Sequence, residues 1–168
     1  QSDVAKLCLG LLGLCNISLG DSVQTVDIVD CLEKTTAGYG GSSNFGSYYA
    51  LGIIAQKCAI AGATKSMEPQ SENDMIQLST RIVLFLLNEL SKCIKGTHEA
   101  INVLGNCIES RTVNAEDLAV FAELQKTTLK VKRSKISTSR SIFIALGICL
   151  PCLASFTENL LNPIVSFL

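Results

Sequence analysis

The chain reads as all-α, a stack of antiparallel helix pairs with about seven to eight helices. Three observations carry that reading. Apolar residues recur at three- and four-residue steps along most of the chain, and no segment alternates with period two for long. Gly, Asp, Asn and Ser punctuate the chain at helix-length intervals. One phrase also returns four times, an apolar residue followed by Leu and Gly. It stands at Leu11-Leu12-Gly13, Ala50-Leu51-Gly52, Val103-Leu104-Gly105 and Ala145-Leu146-Gly147, with Cys15, Cys58, Cys107 and Cys149 close behind. Those glycines lie 39, 53 and 42 residues apart, near the length of a helix-pair repeat.

A glycine inside a helix costs about 1 kcal/mol relative to alanine. Four at matching places imply a shared packing reason, a neighbouring helix backbone that must come close. Gly13, Gly52, Gly105 and Gly147 are therefore expected at helix–helix contacts.

Residues 3 to 18 predict the first helix, capped by Asp3, with Val4, Leu7, Leu11, Leu14 and Cys15 as its core face. Gly20-Asp21 is a turn. Residues 22 to 36 predict a second helix with Val23, Val26, Val29 (or Ile28) and Leu32 on one face, completing a hairpin. Gly38 to Ser43 is a link, and Ser43 or Asn44 caps a third helix to about Ala61. Gly62 to Asn73, with Pro69, reads as a loop. A fourth helix runs from near Asp74 to about Ile94. Its run Ile82 to Leu87 is apolar on every side, as in a helix sandwiched between neighbours. After Gly96, Thr97 caps a fifth helix to about Ser110, with Glu99 in its first turn where the helix dipole favours an acid. Asn114 caps a sixth, to about Thr128. A seventh spans 139 to about 156, and a short last helix spans Asn159 to Leu168.

Residues 126 to 140 differ in kind. Lys126, Lys130, Lys132, Arg133, Lys135 and Arg140 are six of the 14 basic residues, among Ser and Thr and without an acid. Their mutual repulsion, and local side-chain bonding by Ser and Thr, predict an exposed, mobile connection over about 130 to 137. Lys130, Lys132, Arg133 and Lys135 are the candidate contacts for an acidic partner surface, tunable by phosphorylation at Ser134 or Ser137. No aromatics interleave with these cations, so base stacking has no support.

Composition narrows the function. The 168 residues are 48% hydrophobic, only 17% charged and 5% aromatic, with net charge −1. No global field points to nucleic acid or an anionic membrane. Low charge with high apolarity suits a piece whose faces are covered by something else, as in a segment of a longer solenoid. The eight cysteines lie scattered in apolar helices rather than in a short-loop framework. They read as free thiols in a reducing compartment, hence a cytoplasmic location.

The sharper motifs are weak. Cys149-Leu150-Pro151-Cys152 has the spacing of a thioredoxin-type pair and is the basis of the rival reading, a compact helical thiol-redox or metal-binding protein. That chemistry needs the first cysteine exposed at a helix N-terminus, whereas this pair sits inside an apolar helix with no βαβ context. A four-ligand zinc site wants two close pairs, and the chain has one such pair and a single histidine, His98. Gly38 to Gly46 lacks the Gly-Lys-Ser/Thr of a phosphate loop. Ile142 to Phe156 is an uncharged run of 15, short of the roughly 20 residues a membrane span needs. Asn16-Ile17-Ser18 matches a glycosylation acceptor but closes an apolar helix. No nucleophile, base and orienting group stand together, so no catalytic residue, cofactor or metal is assigned.

The Leu-Gly helices, hairpins and free cysteines resemble HEAT/armadillo-type α-solenoids over most of the chain. Tyr48 to Ala55 and Ala100 to Gly105 are also faintly similar to repeats of large focadhesin-like scaffold proteins, and to the proteasome/cyclosome repeats of regulatory-particle scaffold subunits. The resemblance implies a right-handed solenoid segment over residues 1 to 168. It also implies a non-enzymatic scaffold whose partners are other proteins and the rest of its own polypeptide.

Overall fold

Seven helices carry the described residues of the computed structural model, which are 2–37, 44–64, 69–126 and 130–154. They are α1 (Asp3–Ser18), α2 (Ser22–Ala37), α3 (Phe45–Ala63), α4 (Pro69–Cys93), α5 (His98–Ser110), α6 (Ala115–Gln125) and α7 (Ile136–Ala154). The described residues are all-α apart from one short ladder. In it β1 (Ile94–Lys95) pairs antiparallel with β2 (Lys130–Val131), where the sequence predicts no sheet. The Gly38–Ser43 link and the short helix expected over Asn159–Leu168 lie outside the described residues.

The helix ends follow local chemistry. Ser2, not Asp3, caps α1, its hydroxyl accepting the Ala5 N–H at 3.3 Å. Gly20 turns the chain at φ 76°, and the Asp21 carboxylate then accepts the Gln24 N–H at 3.0 Å to start α2. The loop expected over 62 to 73 is mostly helix, because Pro69 opens α4. A proline at the first helical position loses only an N–H that has no intrahelical partner. Thr97 stands at the head of α5 but does not cap it, since its hydroxyl donates to the Ile94 carbonyl at 3.2 Å. Asn114 and Asp117 cap α6 reciprocally, each side chain accepting the other's backbone N–H at 2.9 Å.

The core is organised around α3. It packs against α1, α2, α4 and α7, and Tyr48, Leu51, Ile54, Ala55, Cys58 and Ala59 are all buried. Among α1 to α4 each helix touches the next and the next but one. Then α5 leans on α4 and α6 on α5, while α7 returns past both to lie on α3 and α4. The apolar run of α4 is sandwiched accordingly, with Ile82, Val83, Leu86, Leu87 and Leu90 buried. The Ser79 hydroxyl donates to the Ala55 carbonyl at 2.8 Å, and Arg81 ties α4 to Asp30 and Glu33 of α2 at 2.6 Å each. Burial works against the Arg81 charge, but the bonds to Asp30 and Glu33 outweigh it and hold its pKa above the ordinary arginine value.

The first helix faces the other way from the sequence expectation. Its buried residues are Lys6, Gly10, Gly13, Asn16 and Ile17. Val4, Leu11, Cys8 and Cys15 are exposed, and Leu7 and Leu14 are half-buried. The cause is close packing. A Cβ on Gly10 would lie 2.8 Å from the Ala50 Cβ and 3.1 Å from its Cα, so α1 meets α3 through its glycines. Lys6 is buried beside Asp3 at 3.8 Å and donates to the Asn44 amide oxygen at 3.3 Å. Asn44 in turn donates to the Thr36 carbonyl, so this polar knot joins the ends of α1, α2 and α3. The exposed Val23 likewise leaves the expected face of α2, whose core residues are Ile28, Val29 and Leu32.

Candidate functional site

The basic stretch is exposed from Lys130 to Ser137, as expected, and its backbone runs against the end of α4. Local hydrogen bonding accounts for that path. The last carbonyls of a helix lack intrahelical partners, and α4 ends where this stretch passes. Lys132 donates its backbone N–H to the Cys93 carbonyl at 3.0 Å and its Nζ to the Lys92 carbonyl at 2.7 Å. β2 pairs with β1, a 3-10 turn follows over Arg133–Lys135, and α7 begins at once. The expected start of that helix at 139 therefore moves to Ile136.

This arrangement gathers positive charge. In the ladder register Lys130 stands opposite Lys95, a residue not among the sequence candidates. Like charges directly opposite on a ladder destabilise it. Lys132, Arg133 and Lys135 follow within one turn, and Val131 and Ile136 add exposed apolar surface. Lys126 lies apart from this group in one respect, being paired with Glu123 at 3.1 Å.

The four repeat glycines do not share one environment. A Cβ on Gly52 would lie 2.9 Å from the Cα and carbonyl oxygen of Ala145, so α3 and α7 cross there almost backbone to backbone. Gly13 faces Ile54 of α3 at 2.9 Å, and Gly105 faces only the tip of Leu84 at 3.3 Å. Gly147 is a correction: it is exposed, and no described atom lies within 4 Å of where its Cβ would be. On α7 the contact is made two residues earlier, by Ala145. Gly10, Gly46 and Gly62 also sit in close contacts; Gly10 ends a further apolar-Leu-Gly triplet, Cys8-Leu9-Gly10, whereas Gly46 and Gly62 stand outside the phrase.

No disulfide joins any of the eight cysteines. Cys149 and Cys152 lie within the last turns of α7, with Pro151 exposed between them. Cys149 is fully buried, and burial pushes its thiol up to about 12, the reverse of what a redox nucleophile needs. Burial likewise pushes Cys58 up to about 12. Cys8 and Cys15 are exposed, against the expectation of apolar surroundings for both. Asn16 of the glycosylation triplet is buried. Among the described residues no three His, Cys, Asp or Glu side chains gather as a metal site would require.

Two further surfaces were not singled out from the sequence. A shallow groove between α4 and α5 is lined by Ile76, Thr80, Arg81, Leu84, Glu109 and Arg111. The outer face of α1 is a continuous apolar stripe, described below. The window Arg133–Cys152 is long and apolar enough to cross a membrane, because α7 starts earlier than expected. In this structure Ile142, Ala145, Leu146, Cys149 and Leu150 of that helix are buried in the core. Among known proteins, no family model, no curated protein and no solved structure matches this chain.

Proposed function

We propose that this chain is a non-enzymatic, protein-binding scaffold segment of paired helices, a HEAT-like solenoid piece working in the cytoplasm. Its basic corner, Lys95, Lys130, Lys132, Arg133 and Lys135, receives an acidic protein surface. The observation that carries the reading is the ladder itself. It sets Lys95 against Lys130 at an exposed edge and anchors the cations that follow on the end of α4. An acidic partner relieves that repulsion, and the exposed Val131 and Ile136 supply apolar contact beside the charge. The neighbour and next-neighbour packing of α1 to α4 supports the solenoid part of the reading. The rival thiol chemistry is disfavoured by the burial of Cys149.

The test is a triple variant, Lys130→Ser, Arg133→Ser and Lys135→Ser, with Lys132 kept because its side chain holds the α4 terminus. Binding to immobilised polyglutamate, and to proteins retained from cytosol, is measured over rising salt. The native chain should bind with a steep salt dependence, and the variant should bind at least about tenfold more weakly at unchanged melting temperature. Equal binding by both, indifferent to salt, would refute the proposal.

A further inference from the structure

The outer face of α1 carries Val4, Leu11, Leu12 and Leu19 at 69, 58, 51 and 81% exposure, with Cys8 and Cys15 exposed between them. These positions recur at three- and four-residue steps, so they form one stripe along a helix about 24 Å long. The stripe is not the loose side of a poorly seated helix. The opposite side is locked onto α3 through Gly10 and Gly13, and at its start the Gly46 N–H donates to the Asp3 carboxylate at 3.2 Å. A second feature says what covers the stripe. Its residues are placed symmetrically about the Leu11–Leu12 peptide bond, so that Val4 mirrors Leu19, Cys8 mirrors Cys15 and Leu11 mirrors Leu12. In an antiparallel two-fold pairing this arrangement lets the stripe meet itself like for like, Val4 on Leu19, Cys8 on Cys15 and Leu11 on Leu12.

The geometry points to a second copy of this chain as the occupant, with the two α1 helices packed antiparallel across a two-fold axis. Cys8 of one copy then lies beside Cys15 of the other, and the leucines meet at the centre. Charge does not oppose the centre, since Lys6, the only cation of α1, is buried. The acids Asp3 and Asp21 lie at opposite ends of the stripe and come near each other only at the rim, so added salt strengthens the pairing or leaves it unchanged. A head-to-tail contact between the basic corner and this stripe would weaken with salt and grow into open chains. This site is separate from the basic corner, and its failure leaves the scaffold reading standing.

Sedimentation of the full 18.0 kDa chain across micromolar concentrations tests the pairing. A reversible dimer is expected, not weakened by salt. Leu11→Glu with Leu12→Glu should raise its dissociation constant at least about tenfold, with helical circular dichroism and melting of the monomer unchanged. The milder pair Leu11→Ser and Leu12→Ser serves if the first misfolds. Orientation is read with a short bismaleimide on two variants, Cys8→Ser and Cys15→Ser. Peptide mapping should find the Cys8–Cys15 cross-link when the two are mixed, and no like-to-like link through Cys8 or Cys15 in either alone. A monomer at all concentrations would overturn the proposal, whether its stripe thiols alkylate freely, are shielded by the chain's own end or insert into vesicles. Like-to-like cross-links, or a salt-sensitive ladder of higher oligomers, would overturn it as well.

Discussion

α1 and α3 carry the same Leu-Gly phrase, run side by side in the same direction and are both nearly free of charge, yet they are buried in opposite senses. α3 packs against α1, α2, α4 and α7 and hides Tyr48, Leu51 and Ile54, leaving Ile60 near its end exposed. Among the described residues α1 has α2 and α3 as its principal neighbours. It gives them its glycines, Lys6 and Asn16, and turns Leu11 and Leu12 outward. Leucine burial is therefore not set by the phrase in which the leucine stands. It is set by how many helices surround the segment, and by whether a close backbone approach claims the small residues first.

The largest expected effect is at the α3–α7 crossing. Gly52→Leu must push against the Ala145 backbone, which cannot give way as a side-chain tip can. It should cost about 3 kcal/mol, the upper part of the overpacking range, in urea denaturation. Gly105→Leu, which meets only a Leu84 methyl, should cost distinctly less.

The thiols give a second contrast. Cys58 of α3 and Cys149 of α7 are held by burial at about 12, against an ordinary thiol value of 9.0. The folded state thus keeps protons that the unfolded chain releases. Their contribution is complete below pH 9.0 and is lost as pH rises toward about 12. Each thiol should lower the unfolding free energy by up to about 1.4 kcal/mol per pH unit in that window. Cys149→Ala should flatten the slope whatever it does to stability at neutral pH. An unchanged slope would place Cys149 in water.

The smallest effect has the opposite sign. Gly147 faces open space among the described residues. Gly147→Ala should therefore raise stability by up to about 1 kcal/mol from helix propensity alone, read as a shift of the denaturation midpoint. A loss would mean that a backbone does pack there.

Much of the fold was legible because helix ends are local. The Gly20 turn, the Asn114 cap and the helical reach of each segment depend on a few adjacent residues. Pro69 misled because the same ring that breaks a helix interior suits a helix start. The face of α1 was not legible, since Leu7, Leu11 and Leu14 share helical spacing with Lys6, Gly10, Gly13 and Ile17, and only α3 decides between the two stripes. For the basic corner, the charges of Lys130, Lys132, Arg133 and Lys135 could be read directly. Their anchoring could not, because it depends on Cys93 and Lys92 carbonyls some forty residues away in sequence.

The inverted seating of α1 is tested most directly by two neighbouring substitutions, Gly10→Leu and Leu11→Ala, compared by urea denaturation at concentrations too low for pairing. Gly10→Leu should cost about 2 kcal/mol or more, although leucine is the better helix former, because the new side chain meets Ala50. Leu11→Ala should change stability by no more than about 0.5 kcal/mol, since most of its side chain is already exposed. A loss of about 2–5 kcal/mol for Leu11→Ala, with Gly10→Leu tolerated, would show that α1 buries its leucines and would contradict the seating described here.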